Sequence, residues 1–222
     1  PNGFPSSDHR LVATDFRIPS KANDSSDQTV SNIDFIGQAT FPTDLTFNNT
    51  EVGGLSGISY DSNTNTYYAI SDDRSENNPA RFYSLNIGIE DCKLDAGDVN
   101  FTDVTTLLNQ PGETFPRDGI DAEGIALSSD GTVYISSEGD ADNLLNPFVN
   151  QFSLEGQEFK QLEVPDKFLP TSDRSRGIRN NLAFESLTIT PDERFLYTAT
   201  EEALNQDGST ATLENQSTAR II

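Results

Sequence analysis

One segment pattern occurs three times along the chain, and it constrains the fold more than any other feature of the sequence. Its copies read GGLSGISYDSNTNTYYAISDDR at residues 53–74, DAEGIALSSDGTVYISSEGD at 121–140 and AFESLTITPDERFLYTATEE at 183–202. Each copy has a small or acidic start, an apolar run, a polar turn, a second β-rich run that contains tyrosine, and an acidic end. Two β-rich runs around a polar turn are typical of a β-hairpin, so the repeat predicts one hairpin per unit.

The spacing of the copies predicts the architecture. The equivalent residues Gly57, Gly124 and Ser186 recur about 65 residues apart, which accommodates four short antiparallel strands and enlarged loops in each unit. Two strands come from the motif and two follow it, as VNQFSL and FKQLEV follow the second copy; IDFIGQATF at 33–41 predicts a further strand. Four-stranded antiparallel units at a fixed period are typical of an all-β protein with the β-propeller fold, and an irregular β-sandwich stays open as the alternative.

The repeats divide the chain into two parts. Residues 1–31 are polar and predict an N-terminal arm with a strand near 10–18, and residues 32–222 predict the propeller domain. Short helical turns are expected only near 105–110 and 165–170, because no segment keeps a 3.6-residue period. The domain has room for about three to four blades, whereas propellers close with ~4–8. We therefore expect an incomplete ring, truncated at its C-terminal side.

Composition excludes several kinds of site. The formal net charge is −22, and a surface of this sign repels nucleic acid and anionic membranes. Cys92 is the single cysteine and His9 the single histidine, which excludes an internal disulfide, a cysteine zinc cluster and a multi-histidine metal site. The sequence has no run of ~18 apolar residues, so no membrane insertion is expected. Any chemistry must use carboxylates, basic side chains, tyrosine, amides and oxygen-ligated metal.

Acidic residues lie at two equivalent places in the copies of the motif. The step before the first strand holds Ser56, Glu123 and Glu185, and the residues after the second strand are acidic. Because a hairpin returns to the end where it started, both places should meet at one mouth of the propeller channel. Crowded carboxylates raise one another's pKa, which a bound hard cation such as Ca²⁺ relieves; alternatively, these residues only cap turns. The predicted metal ligands are Asp72, Asp73, Glu123, Glu138, Glu185 and Glu201.

Basic and amide side chains form a cluster before the third copy. Guanidinium groups bind phosphate or carboxylate groups in a bidentate geometry, so the segment DRSRGIRNN at 173–181 predicts a substrate clamp. Arg74 and Arg81 flank a similar, smaller set after the first copy. In the alternative interpretation, the arginines only neutralise neighbouring acidic loops. The candidate residues of the clamp are Arg174, Arg176, Arg179, Asn180 and Asn181.

These segments together resemble the phytase-like family, which is described by the esterase-like activity of phytase. The resemblance runs from about Ile33 to Ile222, and its specific parts are RGIRNN with the Phe184-Glu185 pair that follows, and SDDR. DAEGIAL with VYISSEG, ARFYSL and LYTATEEAL extend it. It implies a secreted β-propeller, often part of a larger bacterial protein. It also implies a phosphoric-ester or carboxylic-ester hydrolase activity that is attributed to glutamate and aspartate residues.

Three functions follow as hypotheses. The leading one is a calcium-assisted phosphoester hydrolase that is secreted, periplasmic or at the cell surface, with a small-molecule ester as its partner. In it Arg176 and Arg179 clamp the substrate, and Glu123 or Glu185 acts as general base. The predicted further substrate contacts are Arg74, Arg81, Arg174, Asn180 and Asn181. The alternatives are a non-catalytic calcium-binding propeller that presents its loops to a ligand or partner, and a lactonase-like propeller with one channel metal.

Overall fold

The computed structural model describes residues 34–89 and 91–222, so the predicted arm and its strand lie outside the described residues. The strands of the described part are β1 (Thr46–Phe47), β2 (Thr50–Glu51), β3 (Leu55–Asp61), β4 (Thr66–Ser71), β5 (Arg81–Ile87), β6 (Val99–Thr106), β7 (Ala122–Leu127), β8 (Thr132–Ser137), β9 (Phe148–Ser153), β10 (Glu158–Gln161), β11 (Phe184–Ile189) and β12 (Leu196–Thr200). Short 3₁₀ helices are Asp166–Phe168 and Asn205–Asp207. In this part of the chain no helix is long and apolar enough to cross a membrane.

The sheets follow the repeated motif. Strands β3–β4–β5–β6 form one antiparallel sheet, β7–β8–β9–β10 form a second, and β11–β12 form the inner hairpin of a third. Neighbouring strands in each sheet also follow one another in the sequence, which is the arrangement of a propeller blade. We name these sheets blade 1, blade 2 and blade 3. The prediction of an all-β propeller with four-stranded antiparallel blades is therefore confirmed.

The first strands of the three blades lie against one another. Strand β7 contacts β3 on one side and β11 on the other. The backbone N–H of Leu127 donates to Ser59 Oγ at 2.9 Å and so joins blade 2 to blade 1. A Cβ atom on Gly57 would lie 2.8 Å from the carbonyl oxygen of Glu123, and one on Gly124 would lie 2.6 Å from Leu187 Cβ. The glycines of the motif therefore permit the close approach of the inner strands.

Alanine at Gly124 should destabilise the protein by about 1–3 kcal/mol, because the added methyl group overpacks the contact between β7 and β11. Gly53 is a matched control, since a Cβ atom there would meet nothing within 4 Å. Urea denaturation of Gly124→Ala and Gly53→Ala measures both free energies of unfolding. We expect Gly53→Ala to stay within ~0.5 kcal/mol of the wild type. Equal stabilities of the two variants would contradict the tight inner packing.

The tyrosine of the first two motif copies packs toward the following blade. Tyr68 is 8% exposed and belongs to the apolar cluster between blades 1 and 2, which includes Ile125 and Ile135. Tyr134 of blade 2 packs against the apolar cluster between blades 2 and 3. Tyr197 of blade 3 is 41% exposed and stacks on Phe195, with ring centroids 6.2 Å apart. In blades 1 and 2 the tyrosine is thus a packing residue between blades.

Two local predictions from the sequence are wrong. The described part of segment 33–41 forms no strand: it makes one bridge, from Gly37 to Leu94, and Ile36 and Ala39 pack against the apolar cluster of blade 1. Residues 105–110 are not helical: the first two complete β6, and Leu107, just after the strand, is buried between blades 1 and 2. The turn expected near 165–170 is confirmed as a 3₁₀ helix.

Candidate functional site

Each inner hairpin has a register shift at the start of its first strand. The shift falls between Leu55 and Gly57 in blade 1, and blades 2 and 3 have it at the same position of the motif. Such a bulge turns the extra residue out of the regular alternation of the strand. The residues at the bulges are Ser56, Glu123 and Glu185. The structure therefore gives these three side chains equivalent positions.

The acidic residue after the second strand is held in the same way in each blade. The backbone N–H of Asp72 donates to the carbonyl of Gly54 at 2.8 Å, and that of Glu201 donates to Ala183 at 2.8 Å. Glu138 makes the corresponding bond to Asp121 at 2.9 Å. This bond ties the residue after the second strand to the residue before the first strand. Both acidic positions of the motif are thereby fixed at the same end of the blades.

Five carboxylates from blades 2 and 3 meet at this end. We call the buried set the inner group, which consists of Asp121, Glu123 and Glu138. The rim group shares one residue with it and consists of Glu138, Glu185 and Glu201. In each group one carboxylate oxygen per residue lies within 4.8 Å of those of the other two. Four predicted ligands are therefore brought together, and Asp72 of blade 1 is close enough to raise the pKa of Asp121 and Glu123.

Asp121 is a member of the inner group that the sequence interpretation missed. Its equivalents in the other two copies are Gly54 and Ala183, so the position does not look acidic when the repeats are compared. A charged residue at a place where both other copies have small ones is the signal that could have identified it. The deviation from the repeat, more than the repeat itself, marks this residue.

Burial and mutual repulsion strongly favour protonation of the inner group. Burial raises the pKa of Asp121 to about 6, although the neighbouring Arg74 guanidinium opposes this shift. Burial, followed by the charges of Asp121 and Glu185, raises the pKa of Glu123 to about 10. Burial also raises the pKa of Glu138, in spite of the hydrogen bond that its Oε1 accepts from the Ala183 N–H at 2.5 Å. A further positive charge beside these carboxylates would therefore lower their pKa values, because the surrounding side chains do not fully neutralise them.

Two buried oxygens of the inner group accept no hydrogen bond within the described residues, and one of them, Asp121 Oδ2, lies in the ion pair with Arg74. Glu123 is 5% exposed, and within the described residues its Oε2 accepts no hydrogen bond. A buried polar atom without a partner is destabilising and is rare in folded proteins. A cation bound among carboxylates would satisfy it, because oxygen atoms are the ligands that hard cations prefer.

Two predicted substrate contacts lie beside the inner group. Arg74 Nη2 forms an ion pair with Asp121 Oδ2 and donates a hydrogen bond to Asn181 Oδ1. Burial of Arg74 works against its charge, but the neighbouring carboxylates, Asp121 foremost, outweigh this and raise the pKa of the guanidinium. Asn181 has a φ of 55°, a left-handed conformation that asparagine tolerates better than most residues. The loop before blade 3 is thus joined to the loop after β4.

The rest of the predicted clamp does not bond to the carboxylates. Arg174 Nη2 pairs with Asp142 at 2.8 Å on the surface, and Arg179 donates to the carbonyl oxygens of Ala203 and Gly208. Arg176 and Asn180 are exposed, and their side chains form no hydrogen bond or ion pair inside the described ranges. Arg179 therefore holds the 203–208 loop, and the clamp predicted from residues 173–181 is reduced to Asn181.

Asp73 was predicted as a metal ligand and Arg81 as a substrate contact. In the structure both side chains instead lie inside blade 1 and stabilise it. Arg81 is fully buried, and its Nη1 pairs with Asp73 Oδ2 at 2.7 Å. Its other nitrogens donate to Tyr83 OH at 2.7 Å and to the Glu51 carbonyl at 2.6 Å. Asp73 also accepts the backbone N–H groups of the next turn, at residues 76–78. Both side chains are thus occupied by hydrogen bonds and an ion pair within the protein.

Comparison with known proteins places this geometry in context. The model of the phytase-like family, described as "Esterase-like activity of phytase", matches residues 50–222. An uncharacterized secreted protein of Arthroderma benhamiae is 29% identical over 133 residues, and the match covers 44% of this chain and 25% of that protein.

Two solved structures are similar at low sequence identity. The periplasmic gluconolactonase of Pseudomonas aeruginosa is 11% identical, with a TM-score of 0.39 over 68% of this chain and 38% of that one. A proposed 6-phosphogluconolactonase of Bacteroides uniformis is 15% identical, with a TM-score of 0.31 over 70% of this chain and 52% of that one. This chain therefore spans about a quarter to a half of the length of these relatives.

Proposed function

The chain belongs to the phytase-like family, and from this premise we propose that its inner and rim groups form the centre of a secreted, cation-assisted ester hydrolase. One observation carries the proposal: carboxylates of two blades meet in two groups that share Glu138, and one buried oxygen there, Glu123 Oε2, has no hydrogen-bond partner among the described residues. Secretion is supported by the secreted relative in Arthroderma benhamiae. The family description supports the reaction class.

The donor set fits calcium. Asp121, Glu123 and Glu138 would hold the ion, and Glu138 also reaches the rim group. Carboxylate oxygens suit hard cations, and Ca²⁺ accepts flexible ligand sets of this kind. A divalent cation bound here would act as a Lewis acid on the ester and offset the negative charge of the group.

The remaining residues would handle the proton and the substrate. Glu185 is half-buried and lies in the rim group, so it is better placed than Glu123 to take a proton from the attacking water. Glu123 is a poor base without a cation, because its raised pKa keeps it protonated. Asn181 lies beside this centre through its bond to Arg74, and we assign to it the contact with the substrate.

A second candidate function is a structural cation site in a propeller that binds a partner without turnover. The burial of the inner group favours it: Asp121, Glu123 and Glu138 are 3%, 5% and 1% exposed. A cation enclosed to that degree would stabilise blade 2 whether or not a substrate binds, and Glu138 also joins blade 2 to blade 3 through the Ala183 N–H. The two functions share the ion and differ in catalysis.

Glu138→Gln should remove the effect of calcium, because Glu138 belongs to both carboxylate groups. In the wild type, calcium at about 100 times its dissociation constant should add roughly 2.7 kcal/mol to the stability. The variant should bind calcium at least about tenfold more weakly. Thermal unfolding with and without CaCl₂, together with titration calorimetry, measures this loss. Glu113→Gln, at an exposed glutamate outside both groups, is the matched control and should respond like the wild type.

Catalysis is tested with 4-nitrophenyl esters of acetic acid and of phosphoric acid, each with calcium and with chelator. The proposal requires calcium-dependent release of 4-nitrophenol by the wild type and its loss in Glu138→Gln. A calcium-dependent rise in melting temperature with no turnover of either ester would favour the structural site. Equal behaviour of the wild type and Glu138→Gln in both assays would reject a cation at this place.

A further inference from the structure

Arg74 lies where the three blades meet. It follows strand β4 of blade 1, and its Nη2 pairs with Asp121, just before β7 of blade 2, and donates to Asn181, in the loop before blade 3. Its carbonyl oxygen accepts the backbone N–H of Asp118 at 2.7 Å, so the segment that leads to Asp121 is bonded to Arg74 as well. The guanidinium is therefore held beside the inner group by its partners and by the backbone of its own residue.

Arg74 is the basic side chain that pairs with the inner group. Of the ion pairs in the described part of the chain, one includes a member of this group, and Arg74 forms it. Side-chain exposure is 28% for Arg74 and 4% for Asp121, so solvent screens this charge only in part. Charges interact more strongly where water is excluded. A cation bound to the inner group would thus lie in the field of Arg74.

The charges of the inner group, Arg74 and a divalent cation balance. The group has three carboxylates, and a carboxyl group binds a metal in its ionised form. Arg74 carries one positive charge and a divalent cation carries two, so together they neutralise the group. Without Arg74, a divalent ion would leave one buried negative charge uncompensated, and a trivalent ion would restore the balance. Because an unpaired buried charge is strongly destabilising, the presence of Arg74 favours the lower valence.

The other acidic residues around the inner group are compensated in different ways. Asp72, Glu185 and Glu201 are partly or fully exposed, so water solvates at least part of their charge. Asp140 is 9% exposed, but it accepts the backbone N–H groups of residues 142 and 143 and the side-chain amide of residue 143, at 2.7–3.1 Å. The balance of buried charge at the cation site thus depends mainly on Arg74 and the inner group.

We propose that Arg74 tunes the inner group to a divalent cation, because its charge disfavours trivalent ions relative to divalent ions of the same size; this rests on the cation site of the proposed function. Arg74 also orients ligands, since it holds Asp121 and Asn181 in place. Orientation acts alike on two ions of the same size, whereas charge acts differently on ions of different valence. The ratio of two affinities therefore separates the two effects.

Calcium and terbium(III) ions, which have similar radii, test this tuning. The ratio of the calcium to the terbium dissociation constant, measured by titration calorimetry at one pH, should increase roughly tenfold or more in Arg74→Met. Glu123→Gln removes one negative charge instead and should lower the ratio by a similar factor. The double variant restores the balance and should return to nearly the wild-type ratio. Because it leaves less buried charge unpaired than Arg74→Met, comparing it with Glu123→Gln measures the effect of Arg74 even if Arg74→Met does not fold.

Two further variants are controls. Arg74→Lys keeps the charge but not the planar guanidinium, so both affinities should fall while their ratio stays within about twofold of the wild type. Arg194→Met removes an exposed arginine from the turn between β11 and β12, at the end of the hairpin opposite to the carboxylates. It should keep the wild-type ratio.

The outcomes separate this inference from the proposed function. An unchanged ratio in Arg74→Met, or equal ratios in the double variant and Glu123→Gln, would overturn the role of Arg74 while the hydrolase stands. Ratios that shift as expected, with no turnover of either 4-nitrophenyl ester, would support the tuning and reject the hydrolase. Failure of the wild type to bind either ion would reject the cation site, and this inference with it.

Discussion

Replacing Arg81 with alanine should reduce the free energy of unfolding by about 3–5 kcal/mol, because it leaves the buried carboxylate of Asp73 without its cation. The pair is enclosed, with side-chain exposures of 0% for Arg81 and 1% for Asp73. The same guanidinium bonds Tyr83 and the Glu51 carbonyl, so its removal also loosens the contact of β5 with the β2 segment. For a chain of this size, the melting temperature should fall by roughly 10 °C.

Arg117→Ala is the matched control for this variant. Arg117 pairs with Glu76 at 2.6 Å, but the two side chains are 66% and 39% exposed. An ion pair in water contributes about 0–1 kcal/mol, so the melting temperature should barely change. Urea denaturation of both variants measures the difference. If Arg81→Ala were as stable as Arg117→Ala, the pair would be dispensable and Arg81 would become available again for a role in binding.

The stability of the cation-free protein should fall as the pH rises from about 5 to 8. Asp121, with a pKa raised to about 6, and Glu123, with a pKa raised to about 10, keep protons that the unfolded chain loses near pH 4. Because the folded state binds more protons in this range, each group lowers stability by up to about 1.4 kcal/mol per pH unit. The effect of Asp121 ends near pH 6, and that of Glu123 continues to about pH 10.

Carboxylates with lowered pKa values act in another pH range. Asp61, Asp130 and Asp173 have such pKa values because hydrogen bonds, foremost from Asn63, Thr132 and Thr171, favour their charged forms. Their stabilisation is lost only below about pH 4, so measurements above pH 5 isolate the inner group.

Thermal unfolding in chelator across pH 5–8 measures the slope, and Glu123→Gln, which removes the titration at that position, should flatten it. Calcium should raise the melting temperature more at pH 8 than at pH 5, since it competes with protons for the same oxygens. Stability that increases from pH 5 to pH 8 in chelator would contradict the raised pKa values.

The sequence predicted the parts of the site that the repeat encodes. Glu123 and Glu185 share a position in the motif, as do Glu138 and Glu201, and the register of a hairpin brings both positions to one end. Such arguments need only strand direction and period. The close approach of β3, β7 and β11 likewise follows from small residues in the motif, Gly57 and Gly124.

Other parts of the site depend on burial, which one sequence does not reveal. The residues next to Arg81 in the sequence do not show whether its guanidinium faces a substrate or lies enclosed with Asp73 inside a blade. Arg179 likewise stands in a segment rich in arginine, yet it bonds to carbonyl groups 24 and 29 residues away. These contacts are set by how loops fold over the blades. They belong to tertiary structure and have no periodic signature.

The register shift that recurs in the three hairpins has a consequence for how this protein can change over evolution. Ser56, Glu123 and Glu185 stand at the same shift, yet one is a hydroxyl and two are carboxylates, so the blade accepts different chemistry there without altering its ladder. A substitution at one bulge changes a single sector of the mouth, although at Ser56 it would also remove a bond of 3.4 Å to the Ala122 carbonyl of blade 2. The side chain at this position can therefore change in one blade at a time while the hairpins of the other blades keep their register.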